Sequence, residues 1–226
     1  MKVKDLFVKI PDESEVEATE YQQGERFIKK AVLNEEHALK LLCDKGLLHT
    51  FVCSPCELGE LCAGWLLSEG YAADEVEVDI DGHIAKVNGA VIPPCEPQKV
   101  TASALEVTVE EMLELFNEAS DKYSRSHGIH ECVIKGEGWH ILRTDIGRHN
   151  AIDKAVGAAV MRGCDLEGAV MFSSGRINVQ TVKKAVRCKI GCLMSKAVIT
   201  RQALELSREL GLKVLFSVKG NSYFTN

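Results

Sequence analysis

Nine cysteines in 226 residues are the part of this sequence richest in possible chemistry. The first residues, Met1-Lys2-Val3-Lys4-Asp5, lack the apolar core of a signal peptide, so the thiols are expected to stay in a reducing compartment. A disulfide framework is then not expected, which leaves buried apolar thiols, a metal site or thiol chemistry. The chain's only Cys-x-x-Cys is Cys53-Ser54-Pro55-Cys56. Ser54 reads as a helix N-cap, Pro55 as the first helical residue and Glu57 as the capping-box partner. Cys56 would then sit at a helix N-terminus, which lowers a thiol's pKa. A redox pair or half of a zinc site fits that spacing, but no second Cys-x-x-Cys completes four ligands. A buried structural pair is the alternative. Cys43, Cys62, Cys132, Cys164, Cys188 and Cys192 read as core or near-core residues. Cys95 stands apart: in Pro93-Pro94-Cys95-Glu96-Pro97, three prolines in five residues predict an irregular, exposed loop.

Two further segments carry residues suited to anions. Thr144-Asp145-Ile146-Gly147-Arg148-His149-Asn150 and Ser173-Ser174-Gly175-Arg176 each fall where a strand hands over to a helix. In open α/β sheets ligands bind at the carboxyl ends of strands, and helix N-termini present free N–H groups. Gly147 and Gly175 permit close backbone approach, while Arg148 and Arg176 supply forks matched to phosphate or carboxylate. Two such loops in equivalent positions point to a phosphate-bearing ligand; two ordinary capped turns are the alternative. Asn150 is the predicted N-cap. His149 reads either as a proton carrier or as a residue bonding the backbone before a helix. Asp145 either orients Arg148, contacts the ligand or closes its own turn. Asp153 and Lys154 fall in the first helical turn, where an aspartate is expected for the dipole alone.

These residues need elements to position them. The first 25 residues are acidic and read as a solvated edge segment or strand. Residues 38–43 and 47–53 form a predicted hairpin around Asp44-Lys45-Gly46. Leu58, Leu61, Cys62, Trp65 and Leu66 make an apolar stripe at helical spacing, ended by Gly70. Residues 76–80, 84–87 and 90–92 read as a small meander with two tight turns. Thr108 and Glu111 form a capping box for a helix to about Asn117. Strands over 130–134 and 139–144 follow, then a helix over 150–161. Beyond it come strand 169–173, helix 177–187, strand 190–194, helix 201–210 and strand 213–218. This alternation predicts a largely parallel sheet covered on both faces. The expected organisation is a smaller β-rich part over 1–107, with one helix and the Cys95 loop, and an α/β part over 108–226.

Composition narrows the classes. Hydrophobic residues are 46% and charged residues 27%, values of a folded globular protein. The net charge is −6, which disfavours sequence-independent duplex DNA binding. No apolar run approaches the roughly 18 residues of a membrane span, so the chain is expected to be soluble.

The run Asp145-Ile146-Gly147-Arg148-His149-Asn150-Ala151-Ile152-Asp153-Lys154 resembles the signature of the FdhD/NarQ family, sulfur carriers required for formate dehydrogenase activity. Residues 53–61 through Ser68-Glu69-Gly70 resemble that family's N-terminal helix. Ser126-His127-Gly128-Ile129-His130, Ser174-Gly175-Arg176 and the C-terminal segment align in the same order. The resemblance implies a cytoplasmic homodimer with a cytidine-deaminase-like, three-layer C-terminal domain. It implies sulfur received as a persulfide from a cysteine desulfurase. The acceptor would be a molybdenum bis(molybdopterin guanine dinucleotide) cofactor, or its tungsten counterpart, destined for formate dehydrogenase. Cys95 matches the first cysteine of the family's Cys-x-x-Cys, whereas Gln98 stands at the second. One thiolate suffices to hold a persulfide; a second would mainly resolve it. Glu96 beside Cys95 opposes the thiolate, which His127, His130 or an arginine would have to offset. Phe216, Ser217, Val218, Lys219, Gly220 and Asn221 would line the guanine-nucleotide pocket, with Asp145, Gly147, Arg148, His149, Asn150, Ser174, Gly175 and Arg176 completing it. No structural metal is expected. Alternatives are a cofactor-binding chaperone without sulfur transfer, or a thiol-redox or zinc protein using Cys53 and Cys56. A zinc deaminase would need His-x-Glu and Pro-Cys-x-x-Cys, and Pro94-Cys95-Glu96-Pro97-Gln98 fails at the last position.

Overall fold

A computed structural model describes residues 2–5, 11–71, 77–89, 91, 92, 94–101, 107–122 and 128–226. Ser126, His127 and Pro93 lie outside the described residues. The chain runs β1 (Lys2–Asp5), β2 (Glu13–Gln22), β3 (Glu25–Asn34), β4 (His37–Cys43), β5 (Gly46–Cys53), α1 (Leu58–Ser68), β6 (Glu77–Asp81) and β7 (Ile84–Asn88). It continues α2 (Val109–Lys122), β8 (His130–Gly136), β9 (Trp139–Asp145), α3 (Arg148–Met161), β10 (Val170–Ser173), α4 (Val179–Arg187), β11 (Cys192–Ser195), α5 (Arg201–Glu209), β12 (Lys213–Lys219) and β13 (Ser222–Thr225).

The C-terminal strands form one mixed sheet in the order β13-β12-β11-β10-β8-β9. Alternation divides its side chains between two faces. Ile134, Met171, Leu193 and Val214 pack under α3, α4 and α5, while Val133, Phe172, Met194 and Leu215 pack against α2. Coverage on both faces is as expected, and the fold is a mixed α/β one. The sheet is less parallel than its alternation suggested: only β10–β11 and β11–β12 pair in parallel. The other three pairings are antiparallel: β8–β9 and β12–β13 are hairpins made by tight turns, and β10 runs against β8. Gly138 and Gly220 supply the positive φ those turns need.

The N-terminal strands build a second sheet, β1-β6-β7-β4-β5, and β2–β3 form a separate, largely exposed two-stranded ribbon from the acidic segment. Of the predicted meander, β6 and β7 form an antiparallel hairpin and β7 takes β4 as its parallel neighbour, while Val76 and Ala90 lie outside the described residues. Among the described residues no helix is long and apolar enough to cross a membrane.

Helix α1 joins the two halves. Its Leu58, Leu61, Cys62, Trp65 and Leu66 bury against the N-terminal sheet, as their spacing predicts. The opposite side meets α3 with backbone touching backbone: a Cβ on Gly64 would lie 1.7 Å from the Asp153 carbonyl oxygen, and one on Gly157 1.9 Å from that of Glu60. Glycine at both positions is therefore what lets the helices approach so closely. The crossing is clamped by a bidentate pair, Arg143 Nε and Nη2 on Glu60, between β9 and α1. Gly157→Ala should lower unfolding free energy by about 3 kcal/mol, since the clashing atoms are main chain and cannot rotate away. Urea denaturation measures this, and an unchanged midpoint would show that the crossing is looser than described.

Candidate functional site

The loop leaving β9 is shaped by one carboxylate. Asp145 is fully buried, and its Oδ1 accepts from Gly147 N–H at 2.8 Å and Asn150 Nδ2 at 3.0 Å. Its Oδ2 accepts from Ser54 N–H at 3.1 Å and pairs with Lys154 Nζ at 2.7 Å. Of the three readings of Asp145 the structure shows the turn-closing one, through the Gly147 N–H bond, and both oxygens have internal partners that clamp the loop. Ser54 also departs from expectation. Its hydroxyl accepts from Ile146 N–H at 3.1 Å, so it braces this loop and caps no helix. Helix α1 therefore starts later, at Leu58, with Glu57 in the left-handed region as its N-cap. Asn150 likewise is not the N-cap of α3; Gly147 is, and Asn150 Nδ2 reaches the Val52 carbonyl at 2.7 Å.

The same shift of helix start removes the basis for a reactive Cys56. Cys53 and Cys56 are both buried, and burial pushes the Cys53 thiol up to about 12. Burial raises Cys56 as well, against the opposing pull of Lys154, whose Nζ lies 3.5 Å from its sulfur. Cys95 alone of the nine cysteines is exposed; Cys43 and Cys164 are half-buried and the rest are buried.

Next to Asp145 on the sheet edge, the β10–α4 loop folds against the first loop. Gly175 lies so close to Arg148 that a Cβ on it would come within 2.9 Å of that side chain. Ser174 Oγ accepts from Glu131 N–H at 3.0 Å and lies 3.1 Å from His130 Nδ1. Ser195 Oγ donates to the Gly175 carbonyl at 2.7 Å, and Ser217 N–H donates to that of Ala197 at 2.9 Å. The carboxyl ends of β9, β10, β11 and β12 are thereby linked. Arg148 Nε is buried with no hydrogen-bond partner among the described residues. Arg176 is exposed.

The residues expected at the end of β12 divide. Val218 is in the core under α2, while Lys219, Gly220 and Asn221 are exposed at the β12–β13 turn. Phe216 stacks on Phe224 at 5.5 Å, and Ser217 adopts φ 55°, a left-handed conformation at the site of a β-bulge.

His149 faces the other way, into a cavity of about 290 Å³ between α1, α3 and α4, which Asn150 also lines. Its Nδ1 is buried and has no partner among the described residues. Burial, reinforced by Arg148 and Lys184, lowers its pKa to about 4, so the ring is neutral near neutral pH. His49 and Trp65 stack on the opposite side, centroids 4.9 Å apart. The cavity's charged edge is a buried cluster. Lys184 Nζ donates to Asp153 Oδ1 at 2.8 Å, Asp153 Oδ2 at 3.0 Å and Ser68 Oγ at 2.8 Å, and pairs with Glu69 at 2.8 Å. Burial opposes the Lys184 charge, but Asp153 and Glu69 hold its pKa above the ordinary lysine value. Asp153, expected merely to complement a helix dipole, is instead the core of this cluster. Glu69 reaches onward to Arg187 Nη1 at 3.4 Å, at the border of a second cavity, of about 350 Å³, which Cys95 lines. Lys184, Glu69, His49, Gln180 and Arg187 were not singled out from sequence. Lys184 carried a readable signal: it sits among Thr181, Val182 and Ala185 on the buried side of α4, where a solvated lysine does not belong.

An α/β protein with two glycine- and arginine-bearing loops gathered at the carboxyl ends of its strands, and one exposed thiol, is the class these features define. Within it, this chain belongs to the FdhD/NarQ family, which it matches over residues 81–225. It is 27% identical to a sulfur carrier protein FdhD of Bacillus pumilus, over 90% of this chain and 91% of the relative. A protein of the same name from Staphylococcus aureus is 25% identical over 90% of each. In fold it is similar to the crystal structure of a chain described as a formate dehydrogenase accessory protein from Desulfotalea psychrophila. That match has a TM-score of 0.84 and 20% identity, covering 95% of this chain and 96% of the other.

The buried, neutral His149 has a measurable consequence. In the unfolded chain its pKa returns toward 6.5, whereas in the fold it is about 4. Between those values the unfolded chain binds the proton and the folded one does not, so stability is full above about pH 6.5 and falls on acidification toward pH 4. His37, His49 and His130, also lowered first by burial, act in the same direction. Urea midpoints taken at about pH 7 and about pH 5 should differ less for His149→Gln than for the parent. Equal differences would place His149 in water.

Proposed function

We propose that this chain accepts sulfur on Cys95 from a cysteine desulfurase and delivers it to a guanine-dinucleotide cofactor of molybdenum or tungsten, so that a formate dehydrogenase becomes active. The observation that carries this is the exposure of Cys95 when no other cysteine of the nine is exposed. In the loading step the Cys95 thiolate attacks the outer sulfur of the donor's persulfide. The S–S bond of the donor breaks, its cysteine leaves as thiolate, and Cys95 holds the persulfide with no change in overall oxidation state. The names of the relatives, sulfur carrier protein and formate dehydrogenase accessory protein, support the direction of this chemistry.

The cofactor is here the substrate, a ligand with two pyrophosphates and two guanines. The Arg148 Nε without a partner and the exposed Arg176 would take phosphate oxygens, with Gly147, Ser174 and Gly175 allowing the backbone to approach. The neutral His149 would offer a ring nitrogen to a base edge or ribose in the cavity that Asn150 also lines. Phe216, Ser217, Lys219, Gly220 and Asn221 would close the pocket from the β12 end. The working unit in this reading is a cytoplasmic homodimer.

Gln98, at the place of a second cysteine, favours one further reading: a chaperone that binds the cofactor and transfers no sulfur. Cys95→Ser separates the two. Client dehydrogenase activity should fall to the background of a strain lacking this protein, while guanosine diphosphate binding by calorimetry stays within about twofold, well under 1 kcal/mol. Undiminished maturation would establish the chaperone reading. Loss of nucleotide binding as well would make Cys95 structural.

A further inference from the structure

The residues around Cys95 form a built cavity. Residues 94–100 carry no regular structure and lie as a strap over the end of α1, tied by Cys95 N–H to the Gly70 carbonyl at 3.4 Å and by Val100 N–H to that of Leu210 at 2.9 Å. Between strap and α4 lies the cavity of about 350 Å³, with Leu67, Val100 and Val186 as its apolar lining. Its charges are unequal: Lys99, Arg187 and Lys189 face it, against Glu96. Glu96 has Lys183 at 3.9 Å, Lys189 has Glu167 at 2.8 Å, and Arg187 Nη1 has Glu69 at 3.4 Å. Glu69 itself is shared with Lys184, so it neutralises Arg187 only in part. Arg187 Nε is buried and has no hydrogen-bond partner among the described residues. It lies beside the thiol's own main chain: a Cβ on Gly70 would be 3.1 Å from Arg187 Nε and 3.2 Å from the Cys95 carbonyl oxygen. A buried guanidinium nitrogen left unpaired is costly, and an oxyanion is the partner whose geometry it matches.

We propose that this cavity binds a small anion carrying a transferable sulfur, of the thiosulfate type, from which Cys95 can load directly without a protein donor. The inference rests on the reading of Cys95 as the sulfur-accepting thiol. The volume admits a compact anion together with a few waters, each of which takes about 30 Å³ in the liquid. Arg187 is partly withdrawn from water beside Leu67 and Val186, so it attracts an anion more strongly than a solvated guanidinium would, while the exposed Lys99 adds a weaker pull. The Cys95 thiol gives its proton to water, and the thiolate attacks the outer sulfur of thiosulfate. The bond between the two sulfurs of thiosulfate breaks, and its electron pair leaves with sulfite. Cys95 retains the outer sulfur as a persulfide anion, so one sulfite appears for each persulfide and no external oxidant or reductant is needed.

The experiment incubates the full-length protein with thiosulfate alone, reads persulfide on the Cys95 peptide by non-reducing mass spectrometry, and measures released sulfite. Equal amounts of the two are expected, and none of either with Cys95→Ser. Arg187→Gln should raise the thiosulfate concentration for half-maximal rate at least about tenfold, the usual scale for removing a charged hydrogen bond. Loading by a cysteine desulfurase should stay within about twofold of the parent. Lys99→Gln, at an exposed position that folding does not need, should raise the same concentration about threefold, as a less buried charge would. If a desulfurase loads Cys95 and thiosulfate does not, or if neither charge substitution changes the thiosulfate dependence, the small-donor site is wrong while Cys95 stands. If neither donor loads Cys95, both readings fall together.

Discussion

The arrangement depends on two neighbouring residues of opposite charge in the middle of α3. Successive helical residues point about 100° apart, so Asp153 and Lys154 reach to different sides of the helix. Lys154 runs to Asp145 and the Ser54 carbonyl, holding the entry of α1 and the β9–α3 loop. Asp153 runs to Lys184 and Ser68, holding the end of α1 to α4. Both pairs are buried, and a buried ion pair adds little net stability over apolar packing of the same shape. Removing one member, by contrast, strands a charge and costs roughly 3–5 kcal/mol. Such pairs therefore fix position more than they add stability. Here they fix the glycine-to-glycine crossing of α1 on α3, and with it the separation of the two sheets' helices.

From that fixed frame the side chains that start α3 divide in two directions. Arg148 turns toward Gly175 and the strand ends, while His149 turns toward the cavity under Trp65. Adjacent positions in one loop thus serve two surfaces. Glu69 lies between the second of these and the Cys95 cavity, with one oxygen on Lys184 and the other on Arg187. The cavity that Cys95 lines and the cavity that His149 lines are thus bordered by one shared carboxylate at the end of α1.

Much of the architecture was legible in the sequence because periodicity and turn chemistry are local. The helix start at Thr108 is where it was read, with Glu111 N–H donating to the Thr108 hydroxyl at 3.1 Å, although the Glu111 carboxylate turns to Lys135 at 3.0 Å; the hairpin at Asp44-Lys45-Gly46 is in place. The ten-residue run around Gly147 identified the family from residues alone. What misled were residues whose local and tertiary uses compete. Ser54 has the type and spacing of an N-cap, but the Ile146 amide, 92 positions away, takes its hydroxyl. The reactive reading of Cys56 fell with that cap. Asp153, read from sequence as a first-turn residue, satisfied a dipole argument without needing Lys184; α3 starts earlier, at Arg148, and no local pattern announces a partner 31 residues on. Gly64 and Gly157 look like weak points of two helices until the crossing is seen.

The central claim is that Cys95 alone among nine thiols accepts sulfur. Its most direct test is peptide mass spectrometry under non-reducing conditions after incubation with a cysteine desulfurase and cysteine. The account predicts a gain of one sulfur atom on the peptide carrying Cys95 and no gain on that carrying Cys53 and Cys56. A gain on the Cys53–Cys56 peptide, or none anywhere from a donor active on a control acceptor, would contradict it.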